Sequence, residues 1–265
     1  MPDALDLDPP ERRIAVAGDW HRNQLWVEQL LPELARQSPG IRTILQVGDF
    51  GLSPDARGRR FLEDVDYSCR EAGVERVLVT PGNHEHHDWL DSEFEAAGGE
   101  PLLVSETVSV LPRGYRFTLG DRLFMSFGGA ASVDYEQRRA GIDWFISEVP
   151  TDEDVAAAIA AGPVDVLLTH ETVEGGTAAV TQLLTRPSSW PLEALYFSAD
   201  SRRRVTQVWE ATRPQILFHG HMHVADEIEL ADGRRVYSLG RDYQQHNAGI
   251  LDLDTLGWQW IDSPR

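Results

Sequence analysis

The chain runs to 265 residues, 42% of them hydrophobic and 25% charged, with a formal net charge of -19. Such values belong to an ordinary soluble globular protein, long enough for a large core and short enough for one domain. The acidity argues against a broad electrostatic grip on duplex DNA or an anionic membrane, and no apolar run approaches the ~20 residues that span a bilayer.

The opening "MPDALDLDPPERR" is acidic and proline-bearing, unlike the basic start and apolar core of a signal peptide, and residues 1–11 read as a loose arm. Three strand-then-helix units follow. "RRIAVAG" (12–18) precedes a helical pattern near 23–37, "RTILQVG" (42–48) one near 55–72, and "RVLVTPG" (76–82) one near 86–97. Short β-branched runs alternating with amphipathic stretches predict βαβ units and a largely parallel sheet. Asn23 reads as the first helix's N-cap. Cys69, the only cysteine, sits on the second helix as a small buried residue. With no intrachain disulfide possible, a reducing, cytoplasmic compartment is expected.

The middle changes character. "VSVLPRGYRFTLGDRLFMSFGGA" (108–130) reads as short strands joined by Arg113-Gly114 and Gly120-Asp121 turns. A helix near 151–161 leads to the buried-strand pattern "VDVLLTH" (164–170), and residues 171–190, without sustained period, read as a loop or lid. A helix near 191–212 precedes "QILFHG", a hairpin turns at Asp232-Gly233, and "AGILDLDTLGWQWID" reads as a further strand pair. No repeat or linker interrupts the chain, so residues 1–265 are expected to form one domain.

Polar residues gather just past the strand ends. They are Asp19 and His21 in "GDWH", Asp49 in "GDF", Asn83 and His84 in "GNHE", His170 after "DVLLT", and His221 and His223 in "HGHMH". Open α/β sheets place ligands at the carboxyl ends of their strands. Side by side, these ends assemble two carboxylates, one amide oxygen and four imidazoles, with His84 beside them. Seven donors exceed what one cation needs, so two divalent ions are expected, with a carboxylate such as Asp49 able to bridge them. Nitrogen and oxygen donors without thiolate suit Mn, and then Fe or Zn, better than Ca or Mg. Two ions about 4 Å apart can activate a water and clamp an in-line phosphoryl displacement. The chain holds no lysine, which removes Walker-type P-loop and Schiff-base chemistry.

In this order and at these separations, "GDWH", "GDF", "GNHE", "TH" and "GHMH" resemble the calcineurin-like metallophosphoesterases. The segment "GGAASVDYEQRRAGIDWF" (128–145) narrows the likeness to small bacterial and phage enzymes of that superfamily. The resemblance covers roughly Ile14 to Asp254. It implies a four-layer αββα sandwich with two mixed sheets. It also implies one metal on Asp19, His21, Asp49 and His223 and another on Asp49, Asn83, His170 and His221. His84 would not be a ligand but would stabilise charge on phosphate or protonate the leaving oxygen. The implied activity is hydrolysis of a phosphate ester by a metal-bound hydroxide, the substrate being small, a nucleotide or a short nucleic acid.

The second motif departs from the "GDxVDRG" type of protein phosphatases. It reads "GDFGLSPDARG", with no arginine in register. A phosphodiester is therefore expected over a phosphoserine-type monoester. A nuclease acting on nucleic-acid ends, a phosphomonoesterase and a non-catalytic metal-binding scaffold are the alternatives. Arg22, next to His21, and Arg138, after the Gly-Gly loop, are candidate substrate contacts, though Arg138 or Arg139 could instead pair with Glu136. His86 and His87 read as the start of a helix on the rim, and His219 as a packed histidine or a support for the ligands. Tyr135 and Trp144 read as anchors of the core or loops. No protein partner is inferable.

Overall fold

The computed structural model describes residues 3–263. The first half alternates strand and helix: β1 (Asp3–Ala4), β2 (Arg13–Ala17), α1 (Gln24–Gln37), β3 (Thr43–Gln46), α2 (Ala56–Ala72), β4 (Arg76–Val79) and α3 (His87–Ala96). Strands dominate next, with β5 (Leu102–Leu103), β6 (Val108–Val110), β7 (Tyr115–Leu119) and β8 (Arg122–Phe127). Then come α4 (Asp152–Ala160), β9 (Val166–Thr169), α5 (Ala178–Thr185), α6 (Leu192–Thr212) and β10 (Ile216–His219). The chain closes with β11 (Asp226–Glu229), β12 (Arg235–Ser238), β13 (Ala248–Asp252) and β14 (Trp258–Trp260).

Helix boundaries follow cap chemistry. Asn23 accepts from the Trp26 amide at 3.1 Å, as an N-cap should. Asp55 accepts from the Gly58 amide at 2.7 Å, and α2 stops at Gly73, whose φ of 74° suits a residue without Cβ. Thr151 and Asp154 form a reciprocal capping box at the start of α4.

The strands form two seven-stranded mixed sheets, in the orders β1-β7-β8-β9-β10-β12-β11 and β14-β13-β2-β3-β4-β6-β5. Along β2 the pleat divides the side chains. Ile14 and Val16 face the other sheet, where they meet Phe117, Phe124, Val166 and Phe218. Ala15 and Ala17 face the helices, joining Trp26 and Leu30 of α1 and Phe61 and Val65 of α2. The second sheet repeats the pattern: Met125, Leu167 and Leu217 pack outward on Val155 of α4 and Val208 and Trp209 of α6. Three buried cores separate four layers, helix, sheet, sheet, helix. Each buried Leu, Val or Phe side chain contributes roughly 1.5–3 kcal/mol of transfer free energy, which is why strands apolar on both faces occupy the two middle layers.

Two segments differ from the sequence reading. Of the arm expected over 1–11, residues 1 and 2 lie outside the described residues, and the stretch from Asp3 to Asp6 is docked. Asp3 and Ala4 pair in parallel with Phe117 and Thr118, and the Asp6 carboxylate accepts from the Gly120 amide at 2.6 Å. An extended strand here completes hydrogen bonds that the edge strand β7 would otherwise leave open. The expected loop over 171–190 contains α5, pinned where the Ala179 amide donates to Asp226 at 2.7 Å. The helix is eight residues long and buries only Val180, too little apolar face to show as a period. Among the described residues no helix is long and apolar enough to cross a membrane.

Candidate metal centre

Parallel neighbours β2, β3 and β4 of one sheet and β9 and β10 of the other deliver their carboxyl ends to a common edge. Every motif residue lies just beyond one of these ends. Asp19, His21, Asp49 and His223 present ligand atoms within 4.8 Å of one another. His223 Nε2 is 3.1 Å from Asp19 Oδ2, and His21 Nε2 is 3.5 Å from Asp49 Oδ2. On the other side of Asp49, His170 Nε2 lies 3.2 Å from Oδ1 and 3.1 Å from Asn83 Oδ1. The His221 ring packs 5.1 Å from that of His170, centre to centre. The structure thus gathers all seven expected donors, with the Asp49 carboxylate between two groups of them.

Backbone conformation positions these donors. His21, Asp49, His221 and His223 take φ values of 47°, 53°, 65° and 52°, in the left-handed region that costs a side-chain-bearing residue of order 1 kcal/mol or more. Four strained residues on one rim are kept because the turns aim their side chains inward. The motif glycines have a matching cause. A Cβ at Gly48 would run into the His170 ring, one at Gly82 into Asp49, and one at Gly220 into the Asp19 carboxylate.

The electrostatics fit cations. Asp19 and Asp49 are buried, and the groups within ion-pair distance of them are imidazoles, not arginines. Without a cation the imidazoles take up the balancing charge. Burial alone would lower the His170 pKa, yet Asp49 and Asp19 overcome it and raise the value to about 10. For His21 the same opposition of burial to Asp49 and Asp19, helped by Asp242, ends at about 9. Burial works against ionised Asp49 too, but His170 and His84 hold it well below the usual carboxylate range. Buried carboxylates balanced only by imidazoles form a donor set suited to divalent ions, which would displace the imidazole protons.

Second hydrogen bonds select the tautomers. His170 Nδ1 donates to the Val47 carbonyl at 2.7 Å, leaving Nε2 facing the site. His21 Nδ1 bonds Asp242 at 3.0 Å, and the Asp242 carboxylate also accepts from Asn23 at 2.6 Å. A carboxylate behind a histidine fixes ring orientation and raises its basicity. Asp242 was not among the expected site residues. Its signal is present all the same, because "YSLGRD" is another strand end with a glycine and, two residues on, an acid. Glu85, the last residue of "GNHE", was also passed over. It is buried and accepts from the Gly51 amide at 2.9 Å and the Asp49 amide at 3.2 Å, so it shapes the loop that carries Asp49.

His84 stands apart from the donors. Its amide donates to Asp49 Oδ1 at 3.0 Å, while its half-exposed ring reaches over the site with Nε2 3.8 Å from Asp49 Oδ2. The charge on Asp49 would raise its pKa, but burial and Arg138 together bring it below the ordinary value. Arg138 lies against that ring, Nη2 at 3.0 Å from Nε2, and pairs with Asp134 at 2.9 Å rather than with Glu136. Arg139 pairs with Asp143. Arg22 donates to the Gly51 carbonyl at 2.8 Å and to Ser53 at 3.0 Å. Beside His84 opens a cavity of about 550 Å³, with Arg22, Arg57, Arg139, His86, Ile142 and Phe145 in its wall.

The remaining histidines resolve separately. His86 is the N-cap of α3, accepting from the Trp89 amide. His87 does not sit on the rim: it is buried and donates Nε2–H to the Gly82 carbonyl at 2.7 Å, bracing the loop before Asn83. His219 is buried between Thr172 and the Gly220 carbonyl. Tyr135 and Trp144 pack against each other as loop anchors, their tilted rings 5.2 Å apart.

Among solved structures, the chain is similar to TT1561 of Thermus thermophilus, with a TM-score of 0.58 at 15% identity over 95% of this chain and 99% of that one. A dimetal phosphatase from Danio rerio gives 0.57 at 12% identity, covering 96% and 99% of the two chains. GAP50, the anchor in the inner membrane complex of Plasmodium, gives 0.52 at 9% identity over 96% and 89%. At such identities the likeness is one of fold. No curated protein matches the chain in sequence. The family model described as calcineurin-like phosphoesterase matches residues 12–225, a span that contains all seven donors and His84, and the chain belongs to that family.

Proposed function

We propose that the protein is a dinuclear metal-dependent phosphodiesterase, acting within one domain on a small phosphate ester. The observation that carries this reading is the division of Asp49, with Oδ1 toward His170 and Oδ2 toward His21. Asp19, His21, Asp49 and His223 would hold one divalent cation; Asp49, Asn83, His170 and His221 would hold the other. When bound, such a pair polarises phosphoryl oxygens and supplies an activated water. The imidazole, carboxylate and amide donors suit Mn, then Fe or Zn. The buried, free Cys69 suits the reducing cytoplasm.

The chain's own residues account for the rest. The His84 ring faces the donors without belonging to either group; where a substrate oxygen takes the place of Arg138 at Nε2, the ring would donate a proton to the leaving oxygen or a hydrogen bond to a phosphoryl oxygen. Asp242 holds the His21 ring in register, and His87 and Glu85 hold the loops that carry Asn83 and Asp49. A fold shared with an anchor protein does not by itself imply catalysis. Retention of seven donors together with His84 favours an enzyme over a scaffold.

The diester preference follows from charge. A monoester dianion calls for an additional guanidinium fork, and the second motif lacks its arginine. Arg138 comes nearest, which favours a monoester as the second reading; but its charge is already met by Asp134, and Arg22 is engaged with Gly51 and Ser53. Matched aryl phosphomonoesters and diesters, assayed for kcat/KM with added Mn²⁺, decide the matter. Higher efficiency on the diester is expected, and a clear monoester preference overturns it.

A further inference from the structure

Asn83 poses a problem that the histidines and carboxylates do not. A side-chain amide is nearly symmetric in shape, and a half-turn about its last bond replaces the oxygen by an NH2 group that cannot bind a cation. Something must choose between the two orientations.

Asn83 Nδ2 lies 2.9 Å from Ser132 Oγ, and Ser132 Oγ lies 2.9 Å from Glu148 Oε2. Glu148 Oε1 accepts from the Ser132 amide at 2.6 Å and from Trp144 Nε1 at 3.1 Å. Asn83, Ser132 and Glu148 are all buried. A carboxylate only accepts, so the Ser132 hydroxyl must give it the proton. The serine oxygen is then an acceptor on its remaining side and takes Asn83 as NH2. The chain of bonds has one direction, Asn83 to Ser132 to Glu148.

The backbone around Glu148 is held firmly. Arg113 donates to the Gly128 carbonyl at 2.9 Å and to the Ser147 carbonyl at 3.0 Å. The bare Cα of Gly129 lies against the Glu148 carbonyl, where any Cβ would collide. The Gly129 amide donates to Pro81 at 2.7 Å, tying this loop to the one that carries Asn83.

We propose that Glu148 is a positioning residue that acts through Ser132 to fix the Asn83 amide with its oxygen toward the metal donors. This rests on the two-cation reading. Glu148→Gln keeps the shape and the two bonds accepted by Oε1 but turns the second arm into a donor. The serine hydroxyl is then released to point at Asn83 and favours the flipped amide. Ser132→Ala uncouples the amide without reversing it.

The test is calorimetric titration of the metal-free chain with Mn²⁺ at pH 8.5, with thermal melting to verify folding. That pH lies above the value of about 7 to which burial, opposed by the Ser132 bonds, raises Glu148. Wild type should take two ions. E148Q should bind one as before and the other about tenfold or more weakly, S132A should weaken the same ion by less, and S132A/E148Q should match S132A alone. A purely packing role would weaken both ions or make the two substitutions additive; either outcome overturns the proposal. So do unchanged isotherms in E148Q beside a two-ion wild type, or, where E148Q does not fold, an unchanged isotherm in S132A. Fewer than two ions in wild type overturns the two-cation reading and this proposal with it.

Discussion

Asp49 and His170 meet at 3.2 Å, carboxylate Oδ1 to imidazole Nε2, while the opposite oxygen of Asp49 faces His21 at 3.5 Å. One buried carboxylate therefore belongs to both donor groups. The first prediction concerns stoichiometry. Elemental analysis of the Mn-loaded protein should give close to two ions per chain, and Asp49→Ala should lose both. Retention of one ion at full strength by D49A would show that the carboxylate does not bridge.

His84 touches Asp49 through its backbone amide, whereas its ring lies outside both donor groups. His84→Ala should keep the metal content of wild type and lower kcat by roughly 10² or more, as expected for a lost acid or oxyanion donor. Single-turnover rates beside metal analysis separate the roles. Loss of an ion would make His84 a ligand after all.

The Asp242 carboxylate sits behind His21 at 3.0 Å, while its backbone amide donates to the Asp19 carbonyl at 2.9 Å. Asp242→Ala should weaken metal binding about 10- to 100-fold by freeing the His21 ring. Asp242→Asn, which can still accept from His21 Nδ1–H through its amide oxygen, should recover part of the affinity. Competition with a chelator of known affinity measures both variants.

His87 carries the pH prediction. Its burial, reinforced by the Arg113 charge, lowers the pKa to about 3 from an ordinary 6.5. The unfolded chain therefore binds the proton first as pH falls. Stability from neutral, buried His87 is fully present above 6.5 and is lost progressively as pH drops toward 3. Over the whole window that is up to about 5 kcal/mol. Metal-free wild type should lose melting temperature between pH 6.5 and 4 more steeply than His87→Gln, which keeps a donor but cannot take the proton. Parallel slopes would assign the acid sensitivity elsewhere.

Much of the site was legible in the chain because strand ends are local. A short apolar run, a glycine and then an acid, amide or histidine recur at Asp19, Asp49, Asn83 and His221. The period of the hydrophobic pattern separates strand from helix without tertiary help, so five of the six helices fall close to their expected ranges. The sixth, α5, escaped because one buried residue makes no stripe. The docked start of the arm escaped because its stabilisation lies in backbone bonds to a strand more than a hundred residues away.

What the sequence determined by itself is the inventory of donors, their order, and hence the family they resemble. Which nitrogen of His21 and His170 faces inward, and which way the Asn83 amide points, rest on Asp242, Val47, Ser132 and Glu148, while the His84 amide holds Oδ1 of Asp49. These choices depend on hydrogen-bond direction between side chains far apart in sequence, which carries no local period. The rim's left-handed turns at His21, Asp49, His221 and His223 are equally silent in composition. They persist because the packed sheets beneath them hold the strand ends in place, and only the folded chain supplies that constraint.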